Sequence, residues 1–203
     1  MVLELGRQIW FVRHGNRLDF VQPAWFCTAL YPYDPPLCPR GHRQAQDLGD
    51  RLAQEQIQHL FVSPFLRTRQ TAQYCAQGLK LVPTVLANLG EWQNPRWMKR
   101  PPRIHRQPPG QNLPPYPETM AQVQRRSIQT LQYLLRQYSG NLLLIGHKVP
   151  LGICLSYLLG QPEPINLEVC ALNQVIWVGD RWRWHRQNET VFLREPGLAV
   201  AAG

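Results

Sequence analysis

The sequence predicts an α/β fold, a three-layer sandwich in which a mainly parallel sheet carries helices on both faces. The apolar runs Ile9–Val12, His59–Ser63 and Leu142–Ile145 are short and continuous rather than alternating, as expected of strands covered on both sides. Segments with apolar residues at helical spacing lie between them, so the connections read as crossovers and the strands as parallel. A chain of 203 residues is most simply one domain, 1–203, large enough to bury a real core.

Composition narrows the class. Hydrophobic residues make up 44% and charged residues 17%, a globular balance, and no apolar stretch is long enough to span a bilayer. Val2–Arg7 carries a glutamate and no apolar segment follows Met1 as a signal peptide would require, so a cytoplasmic location without membrane contact is expected. Cys27, Cys38, Cys75, Cys154 and Cys170 are odd in number and scattered, with no C-x-x-C, and read as reduced structural thiols. The net charge of +9 suits nucleic acid, anionic membranes and anionic small substrates alike. Basic residues are spread along the chain, denser at Arg96–Arg106 and Arg181–Arg186.

In chain order, Ile9–Val12 is the first strand, and it stops abruptly on Arg13-His14-Gly15 with a further cation at Arg17. Gly15 is expected to let the backbone turn sharply and approach a ligand. Leu18–Pro39 is turn-rich, with Pro23, Pro32, Pro35, Pro36 and Pro39, and a loop of that length in a small domain is usually functional. Ala45, Leu48, Leu52 and Ala53 mark a helix over Arg40–Gln56. His59–Ser63 is the second strand, Ser63-Pro64 a helix entry, and Leu66–Leu79 a helix closed by Gly78. Leu81–Val85 reads as the third strand, leading to Leu89-Gly90-Glu91-Trp92.

From Gln93 to Pro117 the composition turns to proline, arginine and glutamine, an insert between two elements of one sheet and best read as a semi-rigid flap over the crevice. Glu118-Thr119 opens a helix through Gln137, which Gly140-Asn141 ends. Leu142–Ile145 stops on Gly146-His147, and Pro150–Leu159 is a helix closed by Gly160. Ala171–Val178 and Arg181–Gln187 flank Gly179-Asp180 as a hairpin. The alternation in Arg181-Trp182-Arg183-Trp184-His185-Arg186 indicates a strand with inward tryptophans and solvated arginines, more than a nucleic-acid stacking platform.

Three strands therefore end alike: Val12 into Arg13-His14, Val62-Ser63 into Arg67 one helical turn on, and Ile145-Gly146 into His147. If parallel, they bring two imidazoles and two guanidiniums to one edge of the sheet, where such sheets bind ligands. Guanidiniums repel a metal ion and supply no lone pairs, so no metal or other cofactor is expected. The same groups fork donors onto phosphate oxygens and neutralise charge during phosphoryl transfer. His42, His59, His105 and His185 read as structural, and Ser63 and Thr68 as helix-entry and packing residues, since no Ser-His-Asp set accompanies them.

On these residues the chain resembles the histidine phosphatase superfamily, which includes the cofactor-dependent phosphoglycerate mutases. The similarity runs from Trp10 to Arg186. It rests on Arg13-His14-Gly15, the turn-to-helix element from Pro35-Pro36-Leu37 to Gly41 with Gln44-Ala45, the run Ser63–Ala72, Glu91-Trp92, and Gly146-His147. Arg17–Val21, with Pro23, Trp25 and Asp34–Leu37, looks like the branch of the ubiquitin-associated and SH3-domain-containing phosphatases and their single-domain relatives, although neither accessory domain fits this length. The resemblance implies a phosphoglycerate mutase-like fold and a metal-independent phosphomonoester hydrolase working through a phosphohistidine. His14 would be the nucleophile, Glu91 the general acid, and Arg13, Arg17, Arg67 and His147 the phosphate pocket. Asn16, where the family often has glutamate, and Lys148-Val149-Pro150 depart from its pattern.

Expected partners are a phosphorylated small molecule or phosphopeptide, with no nucleic acid, and a homodimer is left open. A phosphoglycerate mutase and a non-catalytic phospho-ligand binding protein stand as alternatives, the first disfavoured by the short chain and Asn16, the second by the presence of both His14 and Glu91.

Overall fold

Ile9, Trp10, Phe11 and Val12 are all fully buried because the strand they form, β1 (Gln8–Arg13), is covered on both faces. The computed structural model of the chain describes residues 4–94 and 111–194. Its sheet adds β2 (His59–Val62), β3 (Thr84–Val85), β4 (Leu142–Gly146), β5 (Leu172–Trp177) and β6 (Trp182–Glu189). The spatial order is β3-β2-β4-β1-β5-β6. The strands β1 to β4 run parallel and β5 opposes β1, so the sheet is mainly parallel, as expected.

Between and beyond them lie α1 (Leu18–Val21), α2 (Trp25–Thr28), α3 (Pro39–Leu52), α4 (Leu66–Leu79), α5 (Met120–Gln137) and α6 (Lys148–Leu159). The pleat of the sheet sorts side chains by parity. Ile9, Phe11, Leu142 and Leu144 join Leu131 and Leu134 of α5 and Leu151 and Leu155 of α6 in one core. Trp10, Val12, Leu143 and Ile145 join Leu48 and Leu52 of α3 and Ala72 and Cys75 of α4 in the other.

Local signals set the helix ends. Pro39 occupies the first turn of α3, and the Cys38 sulfur accepts from Gly41 N, a start that spares the absent proline N–H. Thr119 and Gln122 form a capping box at α5, satisfying two donors the helix leaves unpaired. At the other end, the buried Arg7 guanidinium donates to the carbonyls of Leu135, Tyr138 and Gly140, closing α5 from a distant part of the chain. Gly160 closes α6 with φ of 64°, and the hairpin turn joins Val178 N to Arg181 O at 3.0 Å. In β6 the inward alternation holds, with Trp182 buried and Arg183 and His185 exposed.

Several expectations are corrected. Gly78 does not close α4; Lys80, with φ of 55°, does. Gly78 instead sits where α3 and α4 touch, and a Cβ there would lie 2.6 Å from Gly49 O. The third strand shrinks from Leu81–Val85 to Thr84–Val85, because Leu81 N is spent on Ala76 O and Pro83 has no N–H for a ladder. The helix expected over Arg40–Gln56 stops at Leu52, whereas α5 runs through Gln137 as expected. The turn-rich loop after Arg17 contains the one-turn helices α1 and α2.

Of the insert expected at 93–117, residues 95–110 lie outside the described residues, as do the basic stretch from Arg96, His105 and the tail from residue 195. The insert's two described feet meet, Glu118 N donating to Gln93 O at 3.0 Å. Among the described residues no helix is long and apolar enough to cross a membrane.

A Cβ on Gly49 would stand 2.7 Å from Tyr74 O in α4. G49A and G78A are each expected to destabilise the fold by roughly 1–3 kcal/mol, since backbone must give way, although alanine is the better helix former. Urea unfolding checks this, and an unchanged or raised midpoint would contradict the close crossing.

Candidate active site

The three strand ends converge because their ladders are in register. Arg13 pairs with Gly146, and Val12 and Val62 both pair with Ile145. The pairing continues one residue past the strands, His14 N donating to Gly146 O at 3.1 Å and Ser63 N to Ile145 O at 3.0 Å. His14 and His147 thus meet with ring centroids 5.2 Å apart and planes at 61°. Both are buried, as is Arg67 in the first turn of α4.

Gly15 is needed where two segments touch. Its φ is not positive, but a Cβ would lie 2.6 Å from Gly41 O, and one on Gly41 would lie 2.1 Å from Asn16 O. The turn after His14 is therefore seated directly on the start of α3. Thr71 of α4 holds it from the other side, accepting from Gly15 N at 3.1 Å.

The hydrogen bonds assign the tautomers. His14 Nδ1 lies 2.8 Å from Gly15 O; a carbonyl only accepts, so Nδ1 carries the proton and Nε2 keeps its lone pair. His147 Nδ1 lies 3.3 Å from Arg67 Nη2; a guanidinium only donates, so here Nδ1 is bare. His147 Nε2–H then donates to Ser63 Oγ at 2.7 Å. The ring is also flanked edge-on by Phe65, with centroids 5.0 Å apart.

Charge completes the picture. Burial first, then Arg67 and Arg13, push the His14 imidazole well below its ordinary value; burial and Arg67 do the same to His147. Burial pushes the Arg67 guanidinium down to about 9, which leaves it charged at neutral pH. Asp34 stands 3.8 Å from Arg67 Nη1, too far for a hydrogen bond. Nε and Nη1 of Arg67 and Nε of Arg13 are buried without a hydrogen-bond partner among the described residues. Arg13 reaches Leu167 O at 3.3 Å.

Arg17 comes back over the pocket, close enough to depress His14 and Arg67, and is held there by both carboxylate oxygens of Asp19. Glu91 Oε2 lies 3.8 Å from His147 Nδ1, while its Oε1 accepts from Trp92 N at 2.9 Å. Every sequence-predicted site residue thus lies at this edge, and Lys148 alone, at the start of α6, is exposed.

Unsatisfied donors on permanent cations, gathered beside the two buried imidazoles, give this hollow the chemistry to receive a compact anion. Buried donors without partners are costly, and the oxygens of a phosphoryl group satisfy several at once.

Two groups make contacts that the sequence does not announce. Ser63 reads as a helix-entry residue, yet its hydroxyl also holds His147. Asp34 belongs to a turn-rich loop, yet its Oδ1 accepts from Leu66 N at 2.7 Å and its Oδ2 from Gln111 Nε2 at 2.8 Å. Neither contact leaves a mark in local sequence.

Residues 9–190 match the model of the histidine phosphatase superfamily, branch 1, and the chain belongs to that family. It is similar to the probable phosphoglycerate mutase GpmB of Yersinia enterocolitica, with 29% identity over 218 aligned positions covering 94% of this chain and 97% of that protein. Among solved structures, YhfR of Bacillus stearothermophilus superposes with a TM-score of 0.71 at 19% identity, covering 92% of this chain and 98% of that one. The α-ribazole phosphatase of Shigella flexneri gives 0.67 at 18%, covering 90% and 96%. The mycobacterial glucosyl-3-phosphoglycerate phosphatase, in complex with VO3, gives 0.68 at 19%, covering 91% and 100%. At such identities the structures show a shared phosphoglycerate mutase-like fold.

Both imidazoles are held neutral in the folded chain and charge freely near pH 6.5 in the unfolded one. Below that pH the unfolded state binds more protons, so stability is complete above about 6.5 and falls on acidification, by up to ~1.4 kcal/mol per pH unit for each ring. Urea unfolding between pH 7.5 and about 5.5 should show that decline, shallower in H147N; a flat wild-type profile would contradict neutral buried rings.

Proposed function

We propose that the protein is a metal-independent phosphomonoester hydrolase in which His14 carries the phosphoryl group. The observation that supports this most is the His14 tautomer, whose Nδ1–H is tied to Gly15 O and whose Nε2 is left as a bare nucleophile among guanidiniums. Burial and the neighbouring cations keep that nitrogen unprotonated below the usual histidine range, so the nucleophile needs no separate base.

In the first step the Nε2 lone pair forms a bond to phosphorus as the bond to the leaving oxygen breaks, and a proton on Glu91 passes to that oxygen. Arg13, Arg17 and Arg67 hold the three remaining oxygens, and His147, whose Nε2–H is spent on Ser63 and whose Nδ1 accepts from Arg67, lines the pocket and orients that guanidinium. Charge that accumulates there in the transition state meets donors already in position. In the second step water attacks phosphorus, the Glu91 carboxylate takes its proton, and the electron pair returns to Nε2 as phosphate leaves.

A mutase is the second reading, favoured by the name of the curated relatives. It requires the phosphoenzyme to wait for a rotated substrate instead of water. An assay that couples isomerisation of a phosphoglycerate to a second enzyme, run beside phosphate release, separates the two. For the narrower branch of ubiquitin-associated and SH3-domain phosphatases, support remains confined to Arg17–Val21 and Asp34–Leu37. A phosphopeptide or a phosphorylated small molecule suits the pocket, and a panel of phosphorylated compounds with H14A as blank would identify which is used.

H14A should lose all turnover, and E91Q should retain a slow reaction, lower by roughly 10²–10⁴-fold. A brief reaction with ³²P-labelled substrate quenched in alkali should leave label on wild-type protein and none on H14A. Undiminished hydrolysis by H14A would overturn the reading.

A further inference from the structure

The geometry points to Arg126 and Glu118 as positioning residues that set the Glu91 carboxyl against the leaving oxygen, an inference that rests on the proposed role of Glu91. Glu91 itself sits on no regular element: it follows the short 3₁₀ turn Ala87–Leu89 and precedes the insert. A group that must deliver a proton within hydrogen-bond reach needs a rigid mount. The mount is a buried ion pair.

Arg126, in the second turn of α5, donates through Nη1 to Asn88 O at 2.7 Å and Gly90 O at 2.9 Å, and through Nη2 to Glu91 O at 3.2 Å. The same guanidinium forks onto Glu118, with Nη2 to Oε2 at 2.8 Å and Nε to Oε1. Glu118 in turn receives Gln93 N on Oε2 at 3.4 Å and the Trp92 indole N–H on its backbone carbonyl at 2.7 Å. Its side chain is 1% exposed.

Carbonyls at 88, 90 and 91 and the N–H of 93 are thus fixed by two side chains, and the Trp92 indole by the Glu118 carbonyl. The pair spans both sides of Glu91 and joins the two feet of the insert, 93 and 118. Holding α5 to the sheet would not require it, since Val123, Leu131 and Leu134 are fully buried. The guanidinium is spent on the backbone around Glu91 instead. A lysine could not replace it, having one nitrogen where this geometry uses three.

The prediction exploits leaving-group chemistry. Displacing an alkoxide needs the Glu91 proton, whereas p-nitrophenolate departs without it. R126M should therefore lose roughly tenfold or more in kcat on an alkyl phosphomonoester, a part of the 10²–10⁴ that general acid catalysis supplies, and less than about threefold on p-nitrophenyl phosphate. R126K should resemble R126M. In an E91Q background R126M should add no further leaving-group discrimination.

Equal losses on both substrates, or none, would overturn the positioning role and mark the pair as a structural brace. E91Q measured alone keeps the two readings apart: if it does not discriminate between the substrates, the role assigned to Glu91 fails first. Should R126M not accumulate as folded protein, the isosteric E118Q reads the same contrast, and an equal loss on both substrates there overturns the inference equally.

Discussion

A guanidinium buried without a close counter-charge is the constraint from which the rest of the site follows. Arg67 is 2% exposed, and a charge taken out of water that far costs several kcal/mol unless hydrogen-bonded groups offset it. Its nearest carboxylate, Asp34, is kept at 3.8 Å by prior engagement with Leu66 N and Gln111. The Phe65 ring, 4.5 Å from the Arg67 guanidinium carbon, offers a weak cation–π contact and nothing more. Burial does most to hold the two imidazoles neutral, and the field of Arg67 adds to it. Moving Asp34 into direct contact would steady Arg67 and weaken its hold on an anion at the same time.

The sheet gives this arrangement its precision. Because the backbone ladders run one residue beyond β1 and β2, the main chain at His14 and Ser63 is as fixed as the strands themselves. The groups that come from loops, Arg17 and Glu91, need separate anchors, and each has one: Asp19 for Arg17 and the Arg126–Glu118 pair for Glu91. His14, Arg13 and Ser63 thus keep their places through the strand ladders and Arg67 through the first turn of α4, whereas Arg17 and Glu91 keep theirs through partners recruited from elsewhere.

Strand ends were legible because continuous apolar runs stop on charged residues, a signal contained in four or five neighbours. Val12 into Arg13 and Ile145 into Gly146-His147 are of this kind, and the parallel order followed from the helices between them. The hairpin around Gly179-Asp180 and the helix start at Glu118-Thr119 are equally local. What escaped was non-local. Gly78 looked like a helix stop because nothing near it in sequence reveals Gly49 across the α3–α4 crossing. Ser63 looked like a helix entry because its partner, His147, is 84 positions away. Pro83 is a local mark as well, since its missing N–H falls inside Leu81–Val85, where the strand starts only at Thr84.

That non-locality extends to the insert. Gln111 donates both to Asp34 Oδ2 and to Pro64 O, at 2.8 and 2.7 Å, so the end of the insert is moored to the carboxylate that also faces Arg67 and to the turn that begins α4. The other foot, through Glu118, is moored to the backbone around Glu91. Gln111 and Glu118 thus tie the two described feet of the insert to the Arg67 side of the pocket and to the Glu91 side. A change at either residue reaches those groups through the chain's own hydrogen bonds, without touching a ligand itself.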